Sequence, residues 1–319
     1  MQNQSGDLRT KNVVCFGGGT GLPSLLSGLG KNPWFNVTAI VNMFDSGGSS
    51  GELRDRFGIL PPGDILKCML ALSAHENFAR ELLLKRISNH KYAGHTGGNV
   101  LLLGLEKVFE DYLQAVDALG QILSIRGKVI PVTLEKAGLN ATYEDGTIFS
   151  SETGVDFGIK EGKKVRRISL EPENINCCGE AEAAIKRADI ICIGPGSFYT
   201  SILPNFLPRG ISQAIAESKA PLIFTANLVS EGKGMQGMYL EDYVRILEEH
   251  AGRKIDHVIA NTAVQEELMG GYAQEGKTLI KAKSEDPRFI FAPLWTDNKY
   301  ARHDSARLAN IIWGIAFGT

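Results

Sequence analysis

Short, wholly apolar runs that break straight into glycine-rich loops recur along this chain, and helical periodicity follows each loop. Val13-Val14-Cys15-Phe16 leads into Gly17-Gly18-Gly19-Thr20-Gly21, after which Leu22, Leu25, Leu26 and Leu29 mark one face of a helix. Pro23 suits the first turn of that helix, where a missing N–H leaves nothing unpaired, and Gly30 is a natural stop. Val37 to Val41 predicts the next strand and Asn42 to Gly51 a long polar loop. Ile190-Ile191-Cys192-Ile193 repeats the pattern in the second half, and Pro221 to Thr225 and Val258 to Ala260 are strand-like runs each followed by a polar loop and helical periodicity. A strand apolar at every position must be covered on both faces, as in a parallel sheet between helix layers. The expected fold class is therefore α/β, one doubly wound, mostly parallel sheet.

Helical spacing follows Asp64 through Ile65, Leu66, Met69, Leu70 and Leu72; it recurs from Glu76 to Asn89, and again from Asn99 to Val108. Beyond Gly127 the character changes. Val129 to Val132, Ala141 to Tyr143, Thr147 to Ser150 and Val165 to Leu170 are strand-like, and Asp145-Gly146 suits a hairpin turn. This predicts a small antiparallel insertion at 126–173 inside a single domain spanning 12–319, preceded by a loose polar arm at 1–11. Phe289 to Ala292 reads as a last strand and Ala306 to Ile315 as a closing helix.

Charge narrows the partners. With 34 basic and 36 acidic residues the net charge is −2, so no global basic field addresses nucleic acid or an anionic membrane. The five cysteines include no CxxC spacing, and Cys15 and Cys192 sit inside apolar strands, so neither a disulfide framework nor a zinc site is indicated. The opening residues lack the apolar stretch of a signal peptide, and no segment approaches the roughly 18–20 apolar residues of a membrane helix. The expected location is cytoplasmic.

The loops carry the chemistry. Successive N–H groups at Gly18, Gly19, Thr20 and Gly21, next to a helix N-terminus, form a cradle for phosphate. A tight turn needing positive φ explains some of these glycines, but four in five residues exceed it. The loop is not a full dinucleotide fingerprint, since Leu22 stands where the third glycine belongs, nor a Walker loop, since no lysine follows in place. Asp45-Ser46-Gly47-Gly48-Ser49-Ser50-Gly51 follows the second strand and can hold phosphate, or a magnesium ion through Asp45. Asp64 reads alone as a helix N-cap, and beside Asp45 as a second carboxylate for the metal. His95-Thr96-Gly97-Gly98-Asn99 repeats the theme, with His95 a candidate ligand and Asn99 a helix cap. Gly194-Pro195-Gly196-Ser197, with Thr200, supplies a second strand–glycine loop–helix cradle.

The segments Gly17 to Pro23, Asp45 to Gly51 with Leu53-Arg54, Pro61-Pro62-Gly63-Asp64-Ile65, Ala93-Gly94-His95 with Gly98-Asn99, and Gly194 to Ser197 with Tyr199 to Asn205 resemble the gluconeogenesis factors (YvcK-like). That family is related to the 2-phospho-L-lactate transferases of deazaflavin cofactor synthesis (CofD-like). The resemblance implies a Rossmann-like fold, binding of UDP-sugars such as UDP-N-acetylglucosamine, and a link between gluconeogenic growth, cell-wall synthesis and cell shape. By the same resemblance Asn227, Asn261 and Tyr272 lie at the nucleotide end of the pocket, and Arg302 brings a cation to the phosphates. The chain departs from the family pattern at Ser46, Leu66-Lys67, Thr96-Gly97 and the loop Leu228 to Gly234.

Two functions follow. One is a nucleotide-sugar-binding regulator whose occupancy alters contacts with other regulatory or cell-wall proteins, with self-association left open. The other is a magnesium-dependent transferase, in which Asp45 and Asp64 hold the metal against a nucleotide diphosphate. No obvious general base sits beside the loops except His95 or an aspartate already assigned to the metal, which favours the regulator.

Overall fold

The computed structural model describes residues 9–88, 92–262, 266–295 and 300–318, with the backbone alone for Asp55 and for residues 266–268. The expected arm at 1–11 falls largely outside these residues, and Lys11 already opens the first strand.

The first part of the chain runs β1 (Lys11–Gly17), α1 (Gly21–Leu29), β2 (Phe35–Val41), α2 (Gly48–Phe57), α3 (Gly63–Leu72), α4 (Glu76–Leu83), α5 (Gly97–Phe109), α6 (Tyr112–Ile122) and β3 (Lys128–Pro131). An inserted unit follows, made of β4 (Gly138–Tyr143), β5 (Ile148–Ser150), α7 (Glu152–Lys160) and β6 (Val165–Glu171). The rest comprises α8 (Gly179–Lys186), β7 (Ile190–Ile193), α9 (Ile211–Glu217), β8 (Leu222–Thr225), α10 (Leu240–Ala251), β9 (His257–Asn261), α11 (Glu266–Gln274), β10 (Phe289–Ala292) and α12 (Ser305–Phe317).

Seven strands form one parallel sheet in the order β10-β9-β8-β7-β1-β2-β3, and β5-β4-β6 form a small antiparallel sheet. β1 lies at the centre, with Cys15 in register between Ala39 of β2 and Cys192 of β7. The apolar runs of β7 and β8 are buried at every position, as expected of strands covered on both faces. Helices α1, α3 and α12 pack together, as do α8, α9 and α10, giving a layer for each face of the sheet. This is the doubly wound α/β architecture that the apolar runs predict. Among the described residues no helix is long and apolar enough to cross a membrane.

Several elements differ from expectation. Val129 to Val132 belongs to the parallel sheet: β3 pairs with β2, so the antiparallel sheet begins only at Gly138. The difference was written in the pattern, since Val129 to Val132 is an unbroken apolar run whereas β4 alternates half-buried and buried positions. Inside the insertion lies a helix, α7, capped by Ser151 accepting from the Gly154 N–H at 3.2 Å. Gly154 and Gly158 weaken its helical signal, yet Gly158 is where Tyr143 packs, 2.3 Å from the position of an added Cβ. The polar loop after β2 becomes α2 from Gly48 onward, the helix from Glu76 ends at Leu83, and α6 adds a further helix. After β7 the chain enters a π-helical turn, Phe198–Ile202, and a 3₁₀ turn, Leu203–Phe206, in place of a regular α-helix.

Candidate functional site

The sheet order reverses direction at β1: the chain moves from β1 to β2 on one side and reaches β7 on the other. Ligands of such sheets bind outside the carboxyl ends of the strands at this reversal. Here the loops after β1 and β7 touch backbone to backbone. A Cβ on Gly21 would lie 2.4 Å from the Pro195 carbonyl oxygen and 2.7 Å from Gly196 Cα, so only glycine permits the approach. Gly19 adopts φ 61° and Gly194 φ 75°. Thr20 precedes α1, and Ser197 precedes the π-helical turn, without either side chain capping its helix. The first turn of α1 therefore keeps main-chain donors free of an N-cap side chain at this crevice, whereas the Phe198 N–H that opens the π-helical turn is taken by Glu231.

An acidic edge faces these loops. Asp64 is buried, and its Oδ2 accepts from the Gly19 N–H at 2.6 Å while Oδ1 pairs with Lys67 Nζ at 2.9 Å. It is the second residue of α3, not its cap; Pro62 holds that position. Asp45 accepts from the Gly47 N–H at 2.8 Å, and its other oxygen lies 3.3 Å from where a Cβ on Gly63 would stand. From the insertion, Glu152 accepts from the Ser46 N–H at 3.3 Å and Asp156 accepts from Thr200 Oγ1 at 3.2 Å. Burial, a hydrogen bond with Asp45 and the charges of Asp45, Asp64 and Asp156 push the Glu152 carboxyl well up, so it carries a proton at neutral pH. Burial also raises Asp156. Burial alone lowers Lys67, but Asp64 and Asp45 outweigh it and the ammonium is held more firmly than usual.

A second cluster joins α2 to α5. Ser49 Oγ lies 2.9 Å from His95 Nδ1 and accepts from Asn99 Nδ2 at 3.0 Å, and His95 Nε2 is 3.7 Å from Glu52 Oε1. Asn99 does not cap α5. Thr96 does, accepting from the Asn99 N–H at 3.3 Å, which leaves the Asn99 amide for Ser49.

At the far side Asn227 clamps the second glycine loop, accepting from the Gly196 N–H at 3.0 Å and donating to its carbonyl at 2.7 Å. Glu231 Oε1 accepts from the Phe198 N–H at 2.6 Å and from Asn227 Nδ2 at 3.0 Å. Burial is the main cause that pushes this carboxyl up to about 8. Asn261 accepts from the Leu294 N–H at 2.8 Å and Tyr272 from the Ala301 N–H at 2.7 Å, so both brace the segment before α12. Buried His303 holds the same segment to the Ala226 carbonyl at 3.1 Å. Arg302 is exposed, and among the described residues no hydrogen bond or ion pair ties it to the glycine loops.

The structure thus gathers Gly18, Gly19, Gly21, Asp64, Gly194, Gly196 and Thr200 around one crevice, with Asp45, Ser46, Gly47 and Gly48 on its rim. Sequence reasoning named Ser49 only as part of its loop and not its contacts with His95 and Asn99, and gave no role to Lys67, Glu152, Asp156 or Glu231. Ser151-Glu152 carries the signature of a helix start, but nothing local places Glu152 against Asp45.

The family model described as "2-phospho-L-lactate transferase CofD" matches residues 13–289. A protein named "Gluconeogenesis factor" from Listeria monocytogenes is 41% identical over 260 residues, 81% of this chain and 80% of its own. One of the same name from Halalkalibacterium halodurans is 38% identical over 271 residues, covering 84% and 83%. A crystal structure of a UPF0052-family protein from Bacillus halodurans superposes with a TM-score of 0.88 at 33% identity, covering 96% of this chain and 99% of that one. With fold, loop order and sequence in agreement, this chain belongs to the CofD family, among its gluconeogenesis factors.

Proposed function

We propose that this protein binds a nucleoside diphosphate sugar, with uridine as the base, and acts as a regulator linking gluconeogenic carbon metabolism to cell-wall synthesis and cell shape. One observation carries the diphosphate: the glycine loops after β1 and β7 meet at the reversal of the sheet, with Gly21 against Pro195 and Gly196. Two adjoining cradles suit two linked phosphates. Uridine, sugar and regulatory role rest on the resemblance to the gluconeogenesis factors.

The acidic edge favours a divalent cation as companion. Asp45, Asp64 and Glu152 offer oxygen donors of the kind magnesium takes, and burial, together with the hydrogen bond and charge of Asp45 and the charge of Asp64, holds the Glu152 carboxyl well above the usual carboxylate range. Among the described residues no three such side chains are gathered as a ready metal site, so phosphate and water oxygens would complete the shell. The ion would neutralise charge between carboxylates and diphosphate. Lys67 holds Asp64 in place, the main-chain donors of the two loops other than those held by Asp64, Asn227 and Glu231 bind the phosphates, and Asn227 fixes the second loop.

The same edge supports a second reading, a transferase of phosphorus-containing groups of the kind the family model names. A thermal-shift panel of UDP-N-acetylglucosamine, NAD, ATP and GDP, with and without magnesium, tests the first. A ligand at one hundred times its dissociation constant stabilises the fold by about 2.7 kcal/mol. Equal or larger shifts with NAD would refute the nucleotide-sugar reading. Nucleotide release continuing over many turnovers would favour the transferase.

A further inference from the structure

We propose that Ser49 is a nucleophile, activated by His95, that takes a phosphorus-bearing group from the bound diphosphate. The substrate class rests on the reading above; the reactivity of Ser49 does not.

Ser49 stands in the first turn of α2, half-buried, next in the chain after Gly48 and four residues after Asp45. Behind it lie two buried side chains, His95 at 1% and Asn99 at 3% exposure, whose packing leaves them little freedom. An amide nitrogen can only donate, so Asn99 Nδ2 gives its hydrogen to Ser49 Oγ. In the tautomer that leaves His95 Nδ1 without a hydrogen, the Ser49 hydroxyl donates to it across 2.9 Å. His95 then carries its own hydrogen on Nε2, facing Glu52 Oε1 at 3.7 Å. Hydroxyl, imidazole and carboxylate stand in the order that activates a serine, with Asn99 adding a donor that stabilises developing negative charge on Oγ. Gly47 has no side chain with which to cap α2, so the first-turn N–H groups beside Ser49 are available to an incoming phosphoryl oxygen.

In the step, Oγ forms a bond to phosphorus and its proton passes to His95 Nδ1. The bridging P–O bond breaks, and the electron pair leaves with the nucleoside monophosphate. No further reactant is needed. The product is one phosphoserine diester per chain, a covalent record of ligand that a regulator can hold without continued turnover.

The probe is a fluorophosphonate, in which the same attack expels fluoride and needs no nucleotide. We expect one label per folded chain, mapped by peptide mass to Ser49 in preference to its neighbours Ser46 and Ser50, and none in protein unfolded by guanidinium. Ser49→Ala should abolish it, and His95→Gln should slow it by about a hundredfold or more. Absence of label at Ser49 in the wild-type protein overturns the proposal, as does an undiminished rate in folded His95→Gln. If that variant does not fold by circular dichroism, the wild-type choice among the three serines decides. Intact nucleotide binding without label refutes the nucleophile alone; label without nucleotide binding refutes the ligand alone.

Discussion

The main-chain N–H of Gly19 donates to Asp64 Oδ2 across 2.6 Å, so a carboxylate already engages the first glycine cradle where a phosphate would be received. Lys67, 2.9 Å from the other oxygen, pins that carboxylate in place. Incoming phosphate therefore meets a fixed negative charge, which a cation can offset. Asp64→Asn removes the charge and weakens both bonds. It should destabilise the fold by about 1.5–3 kcal/mol in urea melts, the worth of hydrogen bonds to a charged group. Calorimetry should then show pyrophosphate binding more tightly without magnesium and gaining less when magnesium is added. An unchanged magnesium dependence would remove Asp64 from the site.

Asp45 tests the opposite side of the same edge. Its charge is one reason Glu152 stays protonated, so Asp45→Asn relieves repulsion in the free protein. The variant should melt at the wild-type temperature or above, yet lose magnesium-dependent nucleotide binding. Loss of folding with ligand affinity intact would make the residue structural.

Gly21→Ala addresses the contact between the loops. With the Pro195 carbonyl 2.4 Å from the new Cβ, the two backbones must separate, at a cost of about 1–3 kcal/mol and with weaker diphosphate binding. Gly104→Ala is the control. It lies inside α5 with nothing within 4 Å of an added Cβ, and should stabilise by about 0.5–1 kcal/mol. Equal effects at the two positions in urea titration would contradict the crevice.

Glu231 makes stability depend on pH. Its carboxyl titrates near 8 in the folded protein, against about 4.3 in an unfolded chain. Below the lower value both states hold the proton and the contribution is full. Between the two the folded state keeps a proton that the unfolded chain releases, so stability falls as pH rises and levels off above the upper value. Glu231→Gln should flatten the difference between urea melts at pH 5 and pH 8 while keeping the Phe198 N–H partnered. Glu231→Ala should cost about 1–3 kcal/mol by leaving that donor and the Asn227 amide short of an acceptor. The same slope in Glu231→Gln as in wild type would place the proton elsewhere.

Much of the fold was legible because parallel strands announce themselves locally. Ile190 to Ile193 is apolar at every position, and only burial on both faces satisfies such a run. The glycine loops were legible for a like reason, since Gly17 to Gly21 holds more glycine than a turn requires. β3 was assigned to the wrong sheet despite the unbroken apolar run Val129 to Val132, because its neighbours in sequence belong to the insertion. The roles given to Asp64 and Asn99 as caps failed by two and three residues of helix boundary, which is where local signals are weakest.

The sequence by itself determined the strand–loop–helix alternation, the glycine cradles and the family, since each depends on residues adjacent in the chain. Only the tertiary structure decided what meets at the crevice. Glu152 reaches Ser46 across 106 positions, Glu231 reaches Phe198 across 33, and His95 reaches Ser49 across 46. Such contacts are set by how strands order in the sheet and how the insertion folds back over its edge. The acidity and protonation of the site follow from those distances and from burial, which no local pattern encodes.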